Sequence, residues 1–82
     1  MKPIADSNVR FGAFFKRKRI EAGMIAASVA DKLGVSTSNI YMIENGQRNV
    51  DLWMALKLCD VVGADIREYI EAELAIEETP TV

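Results

Sequence analysis

Histidine is absent from this sequence. That removes the usual general base at neutral pH and the commonest transition-metal ligand together. A single cysteine, Cys59, excludes an internal disulfide, and its place in an apolar stripe suits a small buried hydrophobe rather than a redox sensor. No apolar run approaches the roughly 20 residues that a bilayer-crossing helix needs. The amino terminus has no positive cap followed by a long apolar stretch and a small-residue cleavage site. These absences predict a cytoplasmic protein without membrane association. Ser28, Ser36 and Ser38 have no histidine to activate them, and the acidic stretch from Asp65 to Glu78 lacks the ordered spacing of a calcium loop. Neither an enzyme nor a cofactor or metal site is expected.

What is present is a globular composition in a short chain. The 82 residues are 50% hydrophobic and 27% charged, which predicts one folded domain with a modest core. The net charge of −2 is unevenly spread. Residues 1–59 carry nine basic and five acidic side chains, whereas residues 60–82 carry one basic and seven acidic. A local basic patch governs attraction to phosphate more than the total does, so the overall charge does not exclude nucleic acid.

Hydrophobic spacing predicts helices throughout and no strand. Val9, Phe11, Phe14, Phe15 and Ala22 keep to one side of a first helix, with Ser7 or Asn8 able to cap it and Gly23 to end it. Its last turns carry Lys16, Arg17, Lys18 and Arg19 in succession, a basic run that the helix macrodipole favours there. Val29, Ala30 and Leu33 mark a second helix stopping at Gly34, where the missing Cβ suits a left-handed turn. Ser36 then caps a third helix, with Ile40 and Ile43 on its inner side and a stop at Asn45-Gly46. Asp51 caps a fourth, with Leu52, Ala55, Leu56, Leu58, Cys59 and Val62 as its stripe and Gly63 as its stop. Asp65 opens a fifth, striped by Ile66, Tyr69, Ile70 and Leu74. Trp53 and Met54 read as core or interface residues.

Two short helices joined by a glycine-centred turn of about three or four residues form a helix-turn-helix, although helical hairpins also occur in proteins that never touch DNA. The order of residues is more specific than the spacing. Lys16 to Met24, Val29 to Ser36 (VADKLGVS) and Ile40 to Asn49 (IYMIENGQRN) together resemble the Xre-like family of lambdoid phage repressors and Cro proteins, over roughly Phe11 to Tyr69. The resemblance implies an all-α, five-helix bundle of the lambda-repressor-like DNA-binding type, in a prokaryotic or phage setting. It implies a recognition helix presenting Thr37, Ser38, Tyr41 and Met42 to bases, and phosphate contacts from Lys16, Arg17, Ser36, Asn39, Gln47, Arg48 and Asn49. It matches Arg19 and Glu44 to a structural ion pair between the first and third helices.

On a helix turning 100° per residue, Tyr41 and Met42 lie about 100° and 200° from inward Ile40, which favours their exposure. The hydroxyls of Thr37 and Ser38 suit several bases, and Tyr41 and Met42 suit a thymine methyl, so direct base discrimination is expected to be modest. The sequence departs from the family at the start of the second helix. Relatives carry a small polar cap followed by Gln there, and this chain has Ile25 and Ala26. Either DNA is gripped with fewer phosphate contacts, offset by Arg48 and the cluster from Lys16 to Lys18, or this surface serves protein partners. Lys18 also stands where relatives usually carry leucine.

The expected organisation is a lead-in over 1–8, a DNA-binding domain over 9–76 and a disordered tail over 77–82. Base readout by one such domain is small, so a homodimer on an inverted repeat of double-stranded DNA is expected, with Tyr69, Ile70 and Leu74 nearest the partner and Ile66 inward. The implied function is sequence-specific transcriptional regulation, as a repressor or autoregulator. An antitoxin, or a protein-interaction adaptor that has lost DNA binding, is the alternative.

Overall fold

The computed structural model describes residues 6–77, with the side chains of Asp6 and Glu77 left aside. The first five residues of the expected lead-in and the tail beyond Glu77 lie outside the described residues. The helical spacing resolves into five α-helices and, among the described residues, no strand: α1 (Asp6–Glu21), α2 (Ala26–Leu33), α3 (Thr37–Glu44), α4 (Leu52–Val62) and α5 (Ile66–Glu77).

The caps act as their chemistry dictates. Ser36 Oγ accepts the Asn39 N–H at 3.1 Å, and Asp51 Oδ1 accepts the Met54 N–H at 2.8 Å. Gly34 and Gly63 close α2 and α4 in the left-handed conformation. The start of α1 differs from the sequence expectation. The helix begins at Asp6, so Ser7 and Asn8 lie inside it and neither caps it. Asn8 bonds instead to the segment after α3.

Phe11, Phe14 and Phe15 of α1 meet Val29 and Ala30 of α2, Ile40 and Ile43 of α3, and Leu58, Cys59 and Val62 of α4 in one core. Burial raises the Cys59 thiol, which keeps it protonated. Several apolar residues expected in helix stripes, and Trp53, expected in the core or an interface, stay outside this core. Val9 is about half exposed, Ala22 is exposed, and Leu52, Trp53 and Leu56 project from α4.

The α1 helix serves two neighbours with two flanks. Towards α3 it presents Gly12, where a Cβ would lie 2.7 Å from the Glu44 carbonyl oxygen and closer still to that of Ile43. Towards α5 it presents Phe11 and Phe14. Tyr69 sets its ring edge-on to Phe11 at 5.2 Å and donates its hydroxyl to the Ser7 carbonyl at 2.9 Å. Lys18 Nζ lies 2.8 Å from Glu68 and also over the Phe14 ring, while Arg10 holds Glu73 through two hydrogen bonds. Lys18 thus stands where relatives usually carry leucine with its ammonium over the Phe14 ring and paired to Glu68 of α5. Hydrogen bonds from Lys18 and Arg10 hold the Glu68 and Glu73 carboxyls below their ordinary range.

Two predictions follow from α1. Gly12→Ala gains up to about 1 kcal/mol of helix propensity but forces a methyl into immovable backbone at a cost of about 3 kcal/mol. Thermal unfolding by circular dichroism should show Tm lowered by roughly 10 °C or more. The depressed carboxyls of Glu68 and Glu73 stabilise the α1–α5 contact above the ordinary glutamate value of 4.5, and that contribution is lost as pH falls through their lower folded values. The near-ultraviolet signal of Tyr69 should weaken over this acid range, and Glu68→Gln with Glu73→Gln should abolish that step.

Candidate nucleic-acid interface

The surface centred on α3 is built from its inner side outward. Ile40 and Ile43 are buried, and they fix the rotation of the helix. Ser38 and Tyr41 are then exposed, Tyr41 by 51%, while Thr37 and Met42 are half-buried. All four expected reading residues therefore have some access to solvent, with Ser38 and Tyr41 the most open. Ser36 is occupied as the N-cap, yet its hydroxyl hydrogen remains able to donate. Asn39, half-buried, is held to Ser36 through its backbone N–H.

The inner end of α3 is secured by charge. Arg19 donates to Glu44 through Nε at 2.5 Å and Nη2 at 3.1 Å, and through Nη1 to the Met24 carbonyl at 2.9 Å. The side chains of both residues are almost fully buried. The Glu44 hydrogen bonds push the Arg19 guanidinium further above its already high range. Neither charge has another neutralising partner among these contacts, so removing one strands the other at a typical cost of about 3–5 kcal/mol. The bond from Arg19 to Met24 also ties the α1–α2 turn to α3.

The segment after α3 is clamped by the first turns of α1. Gly46 adopts φ +74° and sits so close to Val9 that a Cβ would meet its Cγ2 at 2.7 Å. Asn8 donates through Nδ2 to Asn49 Oδ1 at 2.7 Å and accepts the Val50 N–H at 3.3 Å. Asn49, expected at phosphate, is thus engaged within the fold. Gln47 and Arg48 are exposed between these two anchor points. Sequence reasoning missed Asn8 as a clamp, although an amide four residues before Gly12 on one helix flank is a signal that could have raised it.

The basic run of α1 is divided by the helical turn. Lys16 is exposed and shares the flank of Gly12 and Arg19, nearest α3. Arg17 instead reaches Glu68 at 3.2 Å, and Lys18 pairs with the same carboxylate. Four successive charges at 100° intervals cannot face one ligand. Among the described residues, Lys16 on α1 and Arg48 just after α3 are exposed cations next to this surface.

Neither α2 nor α3 has an acidic residue in its first turn, so the positive end of each helix dipole is left uncancelled. The start of α2 has no side-chain cap, as the sequence suggested. Ala26 is buried there, while Ile25 is 65% exposed, so only Ile25 contributes surface. On α5, Tyr69 faces inward onto Phe11 and Phe14 rather than outward to a partner, and Ile70 and Leu74 are exposed. Tyr69 lies three residues from inward Ile66, within the same half-buried stripe.

Residues 10–71 match the family model described as a helix-turn-helix domain. A protein of Pyrobaculum aerophilum carrying the name HTH-type transcriptional regulatory protein is 35% identical over 71 residues, covering 87% of this chain and 27% of that relative. Proteins of the same name from Saccharolobus islandicus strain L.S.2.15 and Saccharolobus solfataricus are each 47% identical over 51 residues, covering 62% of this chain and 16% of each relative. The chain therefore spans a minor part of these relatives' length.

The clamp gives a direct prediction. In Asn8→Ala the Val50 amide should exchange with solvent about five- to tenfold faster, as expected for a lost hydrogen bond of about 1 kcal/mol. Exchange of the Val29 amide in the core should be unchanged. Equal acceleration at both sites would show that Asn8 supports the whole fold instead of the loop.

Proposed function

The chain belongs to the helix-turn-helix domain family, and from that premise we propose that it binds double-stranded DNA as a transcriptional regulator. The observation that carries this reading is α3 itself. Its inner side is locked by Ile40, Ile43 and the buried Arg19–Glu44 pair, and its outer side offers Ser38 and Tyr41 to solvent beside the exposed Arg48 and Lys16. A rigid helix with a hydroxyl and aromatic outer side suits the major groove, where it meets base edges and thymine methyl groups.

Thr37, Ser38, Tyr41 and Met42 read bases in this proposal. Arg48, Gln47, Ser36 and Lys16 hold phosphates, which sets affinity and register without sequence information. Arg17 and Asn49 take smaller parts because their side chains are engaged in the fold, and Asn39 because it is half-buried. With no Arg or Gln among the readers, direct specificity is modest and is increased by pairing two domains on an inverted repeat with half-sites about 34 Å apart. The relatives' names support a regulatory role.

Exposed Ile25 favours a second reading, in which this surface binds protein rather than DNA. Anisotropy titration against selected and random duplexes at two salt concentrations separates the two. Arg48→Ala should weaken binding similarly across sequences and reduce the salt slope by about one. Ser38→Ala and Met42→Ala should change which duplexes are preferred. Absence of binding even at low salt would overturn the regulator reading and support the adaptor.

A further inference from the structure

The stretch between α3 and α4 is held at its two ends by different means. At its entry the Gln47 N–H donates to the Met42 carbonyl at 2.8 Å, and Gly46 lies against Val9. At its exit, every hydrogen bond that residues 48–50 make to the rest of the described chain ends on Asn8. Asn49 Oδ1 accepts from its Nδ2 at 2.7 Å, and the Val50 N–H donates to its Oδ1 at 3.3 Å. One half-buried amide thus joins the loop to a helix 41 positions away.

Asn8 is itself braced from the opposite side. The carbonyl just before it, that of Ser7, accepts the Tyr69 hydroxyl at 2.9 Å, and Tyr69 is packed on Phe11 and Phe14. Moving the first turn of α1 with the loop would break this bond to α5. Between the two anchors, the backbone N–H groups of Arg48 and Asn49 meet no acceptor among the described residues, and both residues are exposed. A phosphate oxygen reproduces the hydrogen bond that water makes to such a group. Two successive N–H groups and a guanidinium on one short span therefore suit a phosphate diester.

The affinity of such a span depends on its order before binding. A mobile loop loses its freedom on the ligand, and that cost is subtracted from the grip. We propose that Asn8 is a positioning residue for phosphate binding, which holds Gln47 to Asn49 in the form that grips the backbone of a duplex without touching the DNA itself. The inference rests on the DNA-binding reading and extends its machinery to the amino-terminal turn of α1.

The salt dependence of duplex binding provides the test. Asn8 carries no charge and releases no counterion, so a change in salt slope on its removal must come through a cation that it positions. In anisotropy titrations at several salt concentrations, and at a temperature where circular dichroism shows both proteins folded, Asn8→Ala should weaken binding about fivefold. The loss should be similar on selected and random duplexes, and the salt slope should fall by up to about one. In an Arg48→Ala background the same substitution should cost less and leave the slope unchanged, because the positioned cation is already gone. Asn49→Ala, which removes one of the two bonds from the exposed loop side, should lower affinity and slope in the same direction by less. A wild type that binds no duplex even at low salt overturns this proposal together with the regulator reading. A wild type that binds, with Asn8→Ala equal to it in affinity and slope, overturns the proposal alone. So does a loss of affinity with an unchanged slope, or one fully additive with Arg48→Ala, since Asn8 would then act on the whole fold or on DNA directly.

Discussion

The arrangement depends on how closely the α1 backbone approaches the carboxyl-terminal end of α3. Gly12 permits that approach, since any side chain there would occupy the space of the Ile43 and Glu44 carbonyls. Once the helices are so close, Arg19 can reach Glu44 with two hydrogen bonds and still hold the Met24 carbonyl. Asn8 and Val9, one turn before Gly12, then lie against Gly46, Asn49 and Val50. A close backbone contact, a buried ion pair and a loop clamp thus form one row along a single flank of α1. All three secure the end of α3 opposite its N-cap, which leaves Ser38 and Tyr41 on a supported but open surface.

The punctuation of the fold was legible in the residues themselves. Ser36, Asp51, Gly34 and Gly63 end or begin helices through local chemistry that needs no distant partner. The Arg19–Glu44 pair came through the resemblance, because nothing local connects residues 25 positions apart. What the sequence could not show was which neighbour an apolar stripe would meet. Periodicity gave α4 a stripe containing Leu52 and Leu56, yet the core is filled by Ala55, Leu58, Cys59 and Val62. On α5 the division fell between adjacent residues, with Tyr69 inward and Ile70 outward. That division is decided by phenylalanines more than 50 positions away on α1.

Asn8 illustrates the same limit for a polar residue. A capping role is the natural local reading of Asn near a helix start. The helix begins earlier, at Asp6, and frees the amide for a bond across 41 positions. The basic run behaves similarly. Its composition suggested one patch for an anion, and the helical turn distributes it among α3, α5 and solvent.

The separation of duties along α1 also makes that helix a ruler. One of its flanks carries α3 and the other carries α5, so the distance between them is set by the thickness of an α-helix, roughly 10 Å. The placement of α3 relative to α5 is therefore fixed by packing inside the monomer, through Gly12 on one side of α1 and Phe14 on the other, rather than by any residue on the exposed side of α3.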